Sequence, residues 1–337
     1  MKTMPRPSMQ ILTMVNRLEK KVMSGGDVSC EEAVFISSIS AESVGDLFAA
    51  ANRIRGRFRG NIIDICAIIN AKSGACTEDC AYCAQSAGSS SDTPVFPLVD
   101  KRAVLGKAAE AKRGGAARFC IVTSGRKASD TDIPKIAEMI SEVRASGLLP
   151  CATLGLLGKE ELFLLREAGL ERFHHNLETS ERFFPEICTT HTYSDKIQTI
   201  AAAKSAGLSL CSGGIFGLGE TWEDRIDMGM ALREIGPDSV PLNFLIPIRG
   251  SRLGSRNQLK PIEALKIISL FRFLLPGKEI RVCGGRVQTL GEFNSFIFLA
   301  GADGLLSGNY LTISGRSFED DLRLIGEQGL KISRITA

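Results

Sequence analysis

The stretch 117-ARFCIVT-123, with 131-TDIPKIAEMISEVRASG-147 and 149-LPCATL-154 behind it, decides the architecture. Two short apolar runs flank a segment whose apolar residues recur at helical spacing, and that segment stops at Gly147 just before the next run. This is strand, helix, strand. On either side the same alternation continues, with candidate strands 62-IIDICAII-69, 171-ERFHHNL-177, 208-LSLCSGG-214, 239-SVPLNFL-245, 279-EIRVCG-284 and 303-DGLLSG-308. Helical patterns lie between them at 101-KRAVLGKAAEAKRGG-115, 194-SDKIQTIAAAKSAG-207, 221-TWEDRIDMGMALREIG-236 and 261-PIEALKIISLFRFLLPG-277. Gly147, Gly169, Gly207 and Gly236 sit where helix C-caps belong. Eight strands, each followed by a helix, read as an α/β protein of the (β/α)8 TIM-barrel class. A doubly wound open sheet would show the same alternation, but the strand count and chain length favour the barrel. The organisation expected is an N-terminal helical extension (1–59), a barrel (60–317) and a C-terminal helix and tail (318–337).

Composition narrows the functional classes. Of 337 residues, 44% are hydrophobic, enough for a sizeable core, and 41 basic side chains nearly balance 38 acidic ones. No basic stripe points to nucleic acid, and no polybasic anchor points to a membrane surface. No apolar run approaches the ~20 residues of a membrane-spanning helix, and the N-terminus lacks a signal-peptide core. A cytoplasmic protein without nucleic-acid or membrane partners is expected. Ten cysteines remain to be explained. A disulfide framework suits short secreted chains with small cores, which this is not. Thiols at tight spacing in a reducing compartment point to metal.

The tightest spacing is in 72-KSGACTEDCAYCAQS-86, which carries Cys76, Cys80 and Cys83 directly after the first strand. Catalytic groups of such barrels come from the C-terminal strand ends and the loops that follow, so this loop lies at the active end. A structural zinc site wants four closed ligands, commonly in paired C-x2-C units, and no second pair follows. Thiolates favour iron–sulfur clusters, and a cubane has four irons to ligate. Three local cysteines leave one iron open for a substrate.

This C-x3-C-x2-C spacing, with Tyr82 just before the last cysteine, is the signature of the radical S-adenosylmethionine enzymes. The wider stretch 70-NAKSGACTEDCAYCAQSA-87 resembles the biotin synthase family in particular. The resemblance continues in order through 151-CATLG-155, 174-HHNLETS-180, 211-CSGGIFGLGETWEDR-225, 240-VPLNF-244 and 281-RVCGGR-286, essentially the whole chain. It implies a [4Fe-4S] cluster on Cys76, Cys80 and Cys83 that binds S-adenosylmethionine and cleaves it to methionine and a 5′-deoxyadenosyl radical. That radical takes hydrogen from dethiobiotin, and sulfur from an auxiliary cluster closes the ring of biotin. The cofactors carry the difficult chemistry, so no catalytic residue beyond their ligands is expected.

The same resemblance assigns roles along the chain. Cys120, Cys151 and Cys211 match the three thiolate ligands of an auxiliary [2Fe-2S] cluster, and Arg281 matches its unusual fourth ligand. Each of these cysteines alone reads as buried packing; three in strands of one barrel, with an arginine, read as a ligand set. His174, Asn176 and Glu178 alternate along the fourth strand and so share a face. The family's Asn at the second position contacts both cofactor and dethiobiotin, and an acid at the third holds ribose hydroxyls. Glu178 stands where Asp is usual and His174 where Asn is usual, while His175 points away from the lumen. Tyr82, Thr123, Lys196, Ile215 and Ile246 fall on the cofactor side, with Lys196 near the methionine carboxylate and the two isoleucines as apolar walls. Lys196 also reads as a solvated helix-face residue. Asn243 matches a residue that hydrogen-bonds the ureido ring. A flavodoxin- or ferredoxin-type electron donor and a homodimer complete the expectation.

Cys283 departs from the family pattern. It follows Arg281 by two residues in one strand, so both face the lumen about 7 Å apart. A thiolate competes for iron far better than a guanidinium. Cys283 is therefore a candidate ligand of a larger, four-iron auxiliary cluster, with packing beside Gly284 as the alternative. Cys188, in 187-ICTTH-191, is a reserve candidate. Related radical barrels that rearrange amino acids or mature metal cofactors could share the first motif without Cys120, Cys151 and Cys211. Lipoyl synthase would need a further N-terminal cysteine group, and only Cys30 precedes Cys66. A non-catalytic iron–sulfur electron carrier would not need a barrel with a polar lumen.

Overall fold

The computed structural model describes residues 7–311 and 313–333. Residues 1–6, 312 and 334–337, among them the ends of the expected N-terminal extension and C-terminal tail, lie outside the described residues. The strands are β1 (Ile62–Lys72), β2 (Arg118–Thr123), β3 (Leu149–Thr153), β4 (Arg172–His174), β5 (Ser209–Cys211), β6 (Gly214–Phe216), β7 (Ser239–Phe244), β8 (Glu279–Val282), β9 (Gly304–Leu306) and β10 (Lys331–Ile332). All pair in parallel, and β9 closes on β1, so the sheet is a barrel and not an open doubly wound layer. β10 adds a short pairing at the start of β1.

Expectation and structure differ at the fifth strand. The run 208–214 divides into β5 and β6, and part of the expected glycine loop 213–220 is strand β6. The division falls opposite Pro241 in β7, which has no N–H to give to a ladder. Gly213 passes so close that a Cβ there would lie 2.0 Å from the Pro241 carbonyl oxygen. Only glycine fits.

The period of two sorts each strand's side chains between lumen and outer core. In β2, Phe119 and Ile121 join the layer under the helices, whereas Cys120 and Val122 face inward. In β8 and the residue after it, Ile280 and Val282 go outward, and Arg281 and Cys283 line the lumen. Helices Lys101–Arg113, Ile133–Ala145, Lys159–Glu167, Tyr193–Ser205, Trp222–Ile235 and Pro261–Leu274 follow their strands. The starts at Tyr193 and Trp222 are fixed by capping boxes from Thr192 with Asp195 and Thr221 with Asp224.

The N-terminal helices Cys30–Ser38 and Val44–Arg59 pack on the outside of the barrel against Pro261–Leu274, and Pro7–Met23 packs on Val44–Arg59. Lys266 Nζ donates to the carbonyls of Ser37 and Ile39 at 2.6 and 2.7 Å, which ties two of these layers together. Helix Phe318–Glu327 is anchored by a fully buried Arg286–Asp321 pair at 2.7 Å. Among the described residues, no helix is long and apolar enough to cross a membrane.

Candidate active site

A cavity of ≈ 360 Å³ occupies the barrel lumen, and its walls change character along the barrel axis. At the deep end lie Arg118, Arg172 and Arg281. Arg281 pairs with both Glu279 and Asp64, and Arg172 Nη1 lies 3.4 Å from Glu279 Oε2. Burial pushes the Glu279 carboxyl up, but Arg281, Arg172 and Arg118 outweigh it and hold it well below the carboxylate range. Three guanidiniums thus meet one buried carboxylate, Glu279, and one half-buried carboxylate, Asp64. Arg118 approaches Asp64 only at 3.7 Å, and its buried Nε and Nη1 have no hydrogen-bond partner among the described residues. Nη1 also lies 3.9 Å from Glu171 Oε1, so the charge is loosely paired while two buried donors lack a hydrogen bond, which costs stability unless an acceptor completes them.

Above this layer stand five thiols, Cys66, Cys120, Cys151, Cys211 and Cys283, each on its own strand or, for Cys283, just past β8. Cys120 and Cys151 are neighbours in register on β2 and β3, and Cys211 faces His174 across β4 and β5. Burial raises Cys211 to about 11 and Cys283 to about 12, and raises Cys66 and Cys120 as well. Cys151 is raised by burial against the pull of Arg118, Arg172 and Arg281. Without metal these groups are neutral thiols. Sequence reasoning missed Cys66 as a lumen residue, although its alternation with Ile68 in the first strand carried the signal.

At the mouth, Tyr82, His174, Asn176, Glu178, Ile215, Asn243 and Ile246 line the cavity. The chain past β4 keeps hydrogen bonding, His175 N to Cys211 O at 2.9 Å and Leu177 N to Gly213 O at 2.9 Å, so the alternation holds beyond the strand itself. His174 Nδ1 is 2.9 Å from Thr153 Oγ1, whereas His175 is buried away from the lumen and stacked on Phe173. Asn176 Oδ1 accepts from Gly213 N at 3.1 Å, and its Nδ2 donates to Glu178 Oε2 at 3.3 Å. Glu178 has φ +74, a left-handed backbone that costs of order 1–3 kcal/mol and recurs at functional sites. Its carboxyl is pushed up by burial, opposed by Lys196, whose Nζ lies 4.0 Å from Oε1. Lys196 is buried and not a solvated helix-face residue. Asn243 accepts from Gly284 N at 2.9 Å and donates to Gly214 O at 3.1 Å, bracing the walls of the cavity. Thr123 ends β2 with a buried hydroxyl that has no partner among the described residues.

Burial and then Lys196 depress His174 to about 4. The unfolded chain, at an ordinary histidine pKa of about 6.5, therefore binds the extra proton between those values. Stability is whole above about pH 6.5 and falls on acidification toward pH 4. In the cluster-free chain, His174→Asn is expected to reduce the stability lost between pH 7 and pH 5 by about 2 kcal/mol. Urea unfolding of both chains at the two pH values measures it; parallel losses would mean that His174 protonates freely in the fold.

The half-buried Cys76, Cys80 and Cys83 lie in the loop after β1. The loop is held by other groups: Gln85 Oε1 accepts from Gly74 N at 2.9 Å and from Ser73 Oγ at 3.1 Å, and Ala81 N donates to Ile187 O at 2.8 Å. Asp79 accepts from Thr189 N and Oγ1 at 2.9 and 2.6 Å; these bonds outweigh its burial and hold it below its usual range. Cys188 packs against Cys80 rather than into the lumen, their sulfurs 3.9 Å apart. The shared proton raises Cys80 and lowers Cys188.

A closed parallel barrel with a three-cysteine loop at its active end defines the radical S-adenosylmethionine class. Residues 71–230 match the pattern described as "Radical SAM superfamily", and residues 241–331 match "Biotin and Thiamin Synthesis associated domain". The chain is 50% identical over 302 residues to a biotin synthase of Thermodesulfovibrio yellowstonii, covering 90% of this chain and 95% of that one. It is 44% identical to a biotin synthase of Pelotomaculum thermopropionicum, covering 95% of this chain and all of that one. The chain belongs to the biotin synthase family of radical S-adenosylmethionine enzymes. Among solved structures it is similar to methylornithine synthase (PylB), with a TM-score of 0.82 at 20% identity over 94% of this chain and 97% of that one. It is also similar to the hydrogenase maturase HydG from Carboxydothermus hydrogenoformans, at 0.80 and 17% over 99% and 86%. At these identities the likeness concerns the fold alone.

Proposed function

We propose that this enzyme converts dethiobiotin to biotin, with Cys76, Cys80 and Cys83 holding a [4Fe-4S] cluster that binds S-adenosylmethionine, and with the lumen thiols holding an auxiliary iron–sulfur cluster. The observation that carries it is the five-thiol layer over an arginine floor in the barrel lumen. The donor set fits: soft thiolates suit iron–sulfur chemistry, and the cationic floor with its unpartnered Arg118 nitrogens suits an anionic, thiolate-ligated group. The neutral thiols release their protons as metal binds. When bound, the two groups supply the electron for reductive cleavage of S-adenosylmethionine and the sulfur for the new ring.

The protein's own part is placement and exclusion. Glu178 and Lys196 present opposite charges at the mouth, for the ribose hydroxyls and the methionine carboxylate respectively. Thr123 holds a buried hydroxyl without a partner among the described residues at the end of β2. Ile215 and Ile246 form apolar walls that keep water from a species able to abstract hydrogen from most C–H bonds. Asn176 and Asn243 present amides to the ureido group of dethiobiotin, and Arg281 lends its charge deeper in the lumen. A flavodoxin- or ferredoxin-type donor, a homodimer and a cytoplasmic location belong to the same reading. Anaerobic reconstitution with iron and sulfide, followed by turnover with dethiobiotin and mass detection of biotin, tests it. Cleavage of S-adenosylmethionine that never depends on dethiobiotin would sink it.

A site built to hydrogen-bond a polar group binds poorly when one of its own partners is removed. Asn176→Ala and Asn243→Ala should each weaken dethiobiotin binding by roughly 1–3 kcal/mol. Iron content should hold. Because Asn243 also braces two backbones, its variant should lose some thermal stability, which Asn176→Ala should show less. Unchanged affinity in both variants would move the ureido contact elsewhere.

A further inference from the structure

Thr153 and His174 both line the lumen cavity, and placing the cofactor and dethiobiotin makes no use of either. Thr153 follows Cys151 by two residues on β3, so it shares the lumen face one step nearer the mouth. Its Oγ1 lies 3.5 Å from the Cys120 sulfur on β2 and 2.9 Å from His174 Nδ1 on β4. Three adjacent strands thus carry an unbroken chain from a thiol through a hydroxyl to an imidazole.

The other lumen sulfurs have different neighbours. Cys66, Cys151 and Cys283 reach the backbone carbonyls of Ala67, Leu149 and Arg281 at 3.6, 3.9 and 3.9 Å. A carbonyl accepts from a thiol but has nothing to give a thiolate. Cys211 is paired in register with Ser239, whose hydroxyl already donates to Glu279 at 2.9 Å. Thr153 is not committed in this way. Its hydroxyl has one proton and two lone pairs, so it serves a thiol as acceptor and a thiolate as donor. Among the five described lumen thiols, Cys120 therefore has the partner best suited to a thiolate.

His174 decides which way that hydroxyl turns. Once Thr153 gives its single proton to sulfur, its oxygen can only accept from the imidazole, which then carries its proton on Nδ1. The start of the ring is fixed by the pairing of His174 with Cys211 across β4 and β5.

We propose that Thr153 is a positioning residue of the auxiliary cluster, its hydroxyl donating to the Cys120 thiolate, and that His174 holds this hydroxyl in place through Nδ1–H. Hydrogen bonds to ligand sulfur are one means by which a protein sets the potential of an iron–sulfur group, and the partners behind a ligand fix its orientation. A bond to sulfur favours the reduced, more negative state, so the chain raises the potential of the auxiliary cluster. The proposal rests on Cys120 being one of that cluster's ligands. An asparagine at 174 could offer an amide N–H from nearly the same place, which makes His174→Asn the conservative variant.

Redox titration of the anaerobically reconstituted full chain tests it, with the auxiliary signal defined as the charge-transfer absorption lost in Cys120→Ser. Thr153→Val removes the hydroxyl and keeps the shape; it should lower the potential and move the bands to longer wavelength. Thr153→Ser should restore wild-type values of both. His174→Phe should shift both in the same direction by a smaller amount, and His174→Asn should stay near wild type. Circular dichroism checks each variant's fold; if Thr153→Val misfolds, the contrast between His174→Phe and His174→Asn decides. Potential and bands unmoved in Thr153→Val, or a serine variant that behaves like the valine one, overturn the proposal alone. Absorption and iron that do not fall at all in Cys120→Ser overturn the auxiliary ligand set, and this proposal with it.

Discussion

Alanine at Cys76, at Cys80 or at Cys83 is expected to abolish 5′-deoxyadenosine formation. If, as proposed, a cubane with one iron reserved for S-adenosylmethionine takes its remaining three ligands from this loop, removing any one leaves a second iron open. The loop should survive the change. Its shape rests on Gln85 holding Gly74 and Ser73, on the Ala81 bond to Ile187 and on Asp79 holding Thr189, and no cysteine sulfur takes part in those bonds. The variants should therefore keep wild-type circular dichroism while losing cluster iron and product. Anaerobic reconstitution followed by chromatography for 5′-deoxyadenosine measures both. Wild-type cleavage rates in any of the three would remove that cysteine from the ligand set.

Much of the barrel was legible because its signal is local. Runs such as 117-ARFCIVT-123 and 149-LPCATL-154 combine apolar β-formers with a period of two, and the helices between them stop at glycines. Gly147, Gly169 and Gly207 all adopt positive φ, which is why glycine was there to be read. The break between β5 and β6 was not legible in 208-LSLCSGG-214, since its cause lies opposite, in Pro241 on another strand. Register across a barrel is a tertiary property.

The site divides in the same way. Period-two alternation placed His174, Asn176 and Glu178 together, and Arg281 with Cys283, and all five line the cavity. What sequence could not give was the company these groups keep. Nothing in the sequence singled out Asp64, Glu279, Arg118 and Arg172, yet they build the floor around Arg281 from four strands far apart in sequence. Lys196 read equally well as a solvated helix residue, and only packing decides that it is buried against Glu178. Cys188 was weighed for the auxiliary cluster from its place in a loop. The partner that the fold gives it, Cys80, is 108 residues away.

That floor bears directly on the proposed auxiliary cluster, where the last large effect is expected. Arg281 touches Glu279 and Asp64 and donates to the Leu305 carbonyl at 3.0 Å, and those carboxylates raise its pKa further against the cost of burial. A guanidinium must shed a proton to bind iron, and here that proton is held by two anions. Cys283 meets no such obstacle. Its thiol, at about 12 without metal, loses its proton on coordination, as ligating thiols do. The geometry therefore favours Cys283 beside Cys120, Cys151 and Cys211, with Arg281 as the charge partner of an anionic cluster. Cys283→Ser is expected to lower iron per chain, to change the Mössbauer spectrum of the auxiliary site and to bring biotin formation close to zero. With the cluster proposed on Cys76, Cys80 and Cys83 intact, the variant should still form 5′-deoxyadenosine. Arg281→Met should keep the nuclearity and lose rate. A two-iron spectrum that persists unchanged in Cys283→Ser would leave Cys283 as packing beside Gly284 and return the ligand role to Arg281.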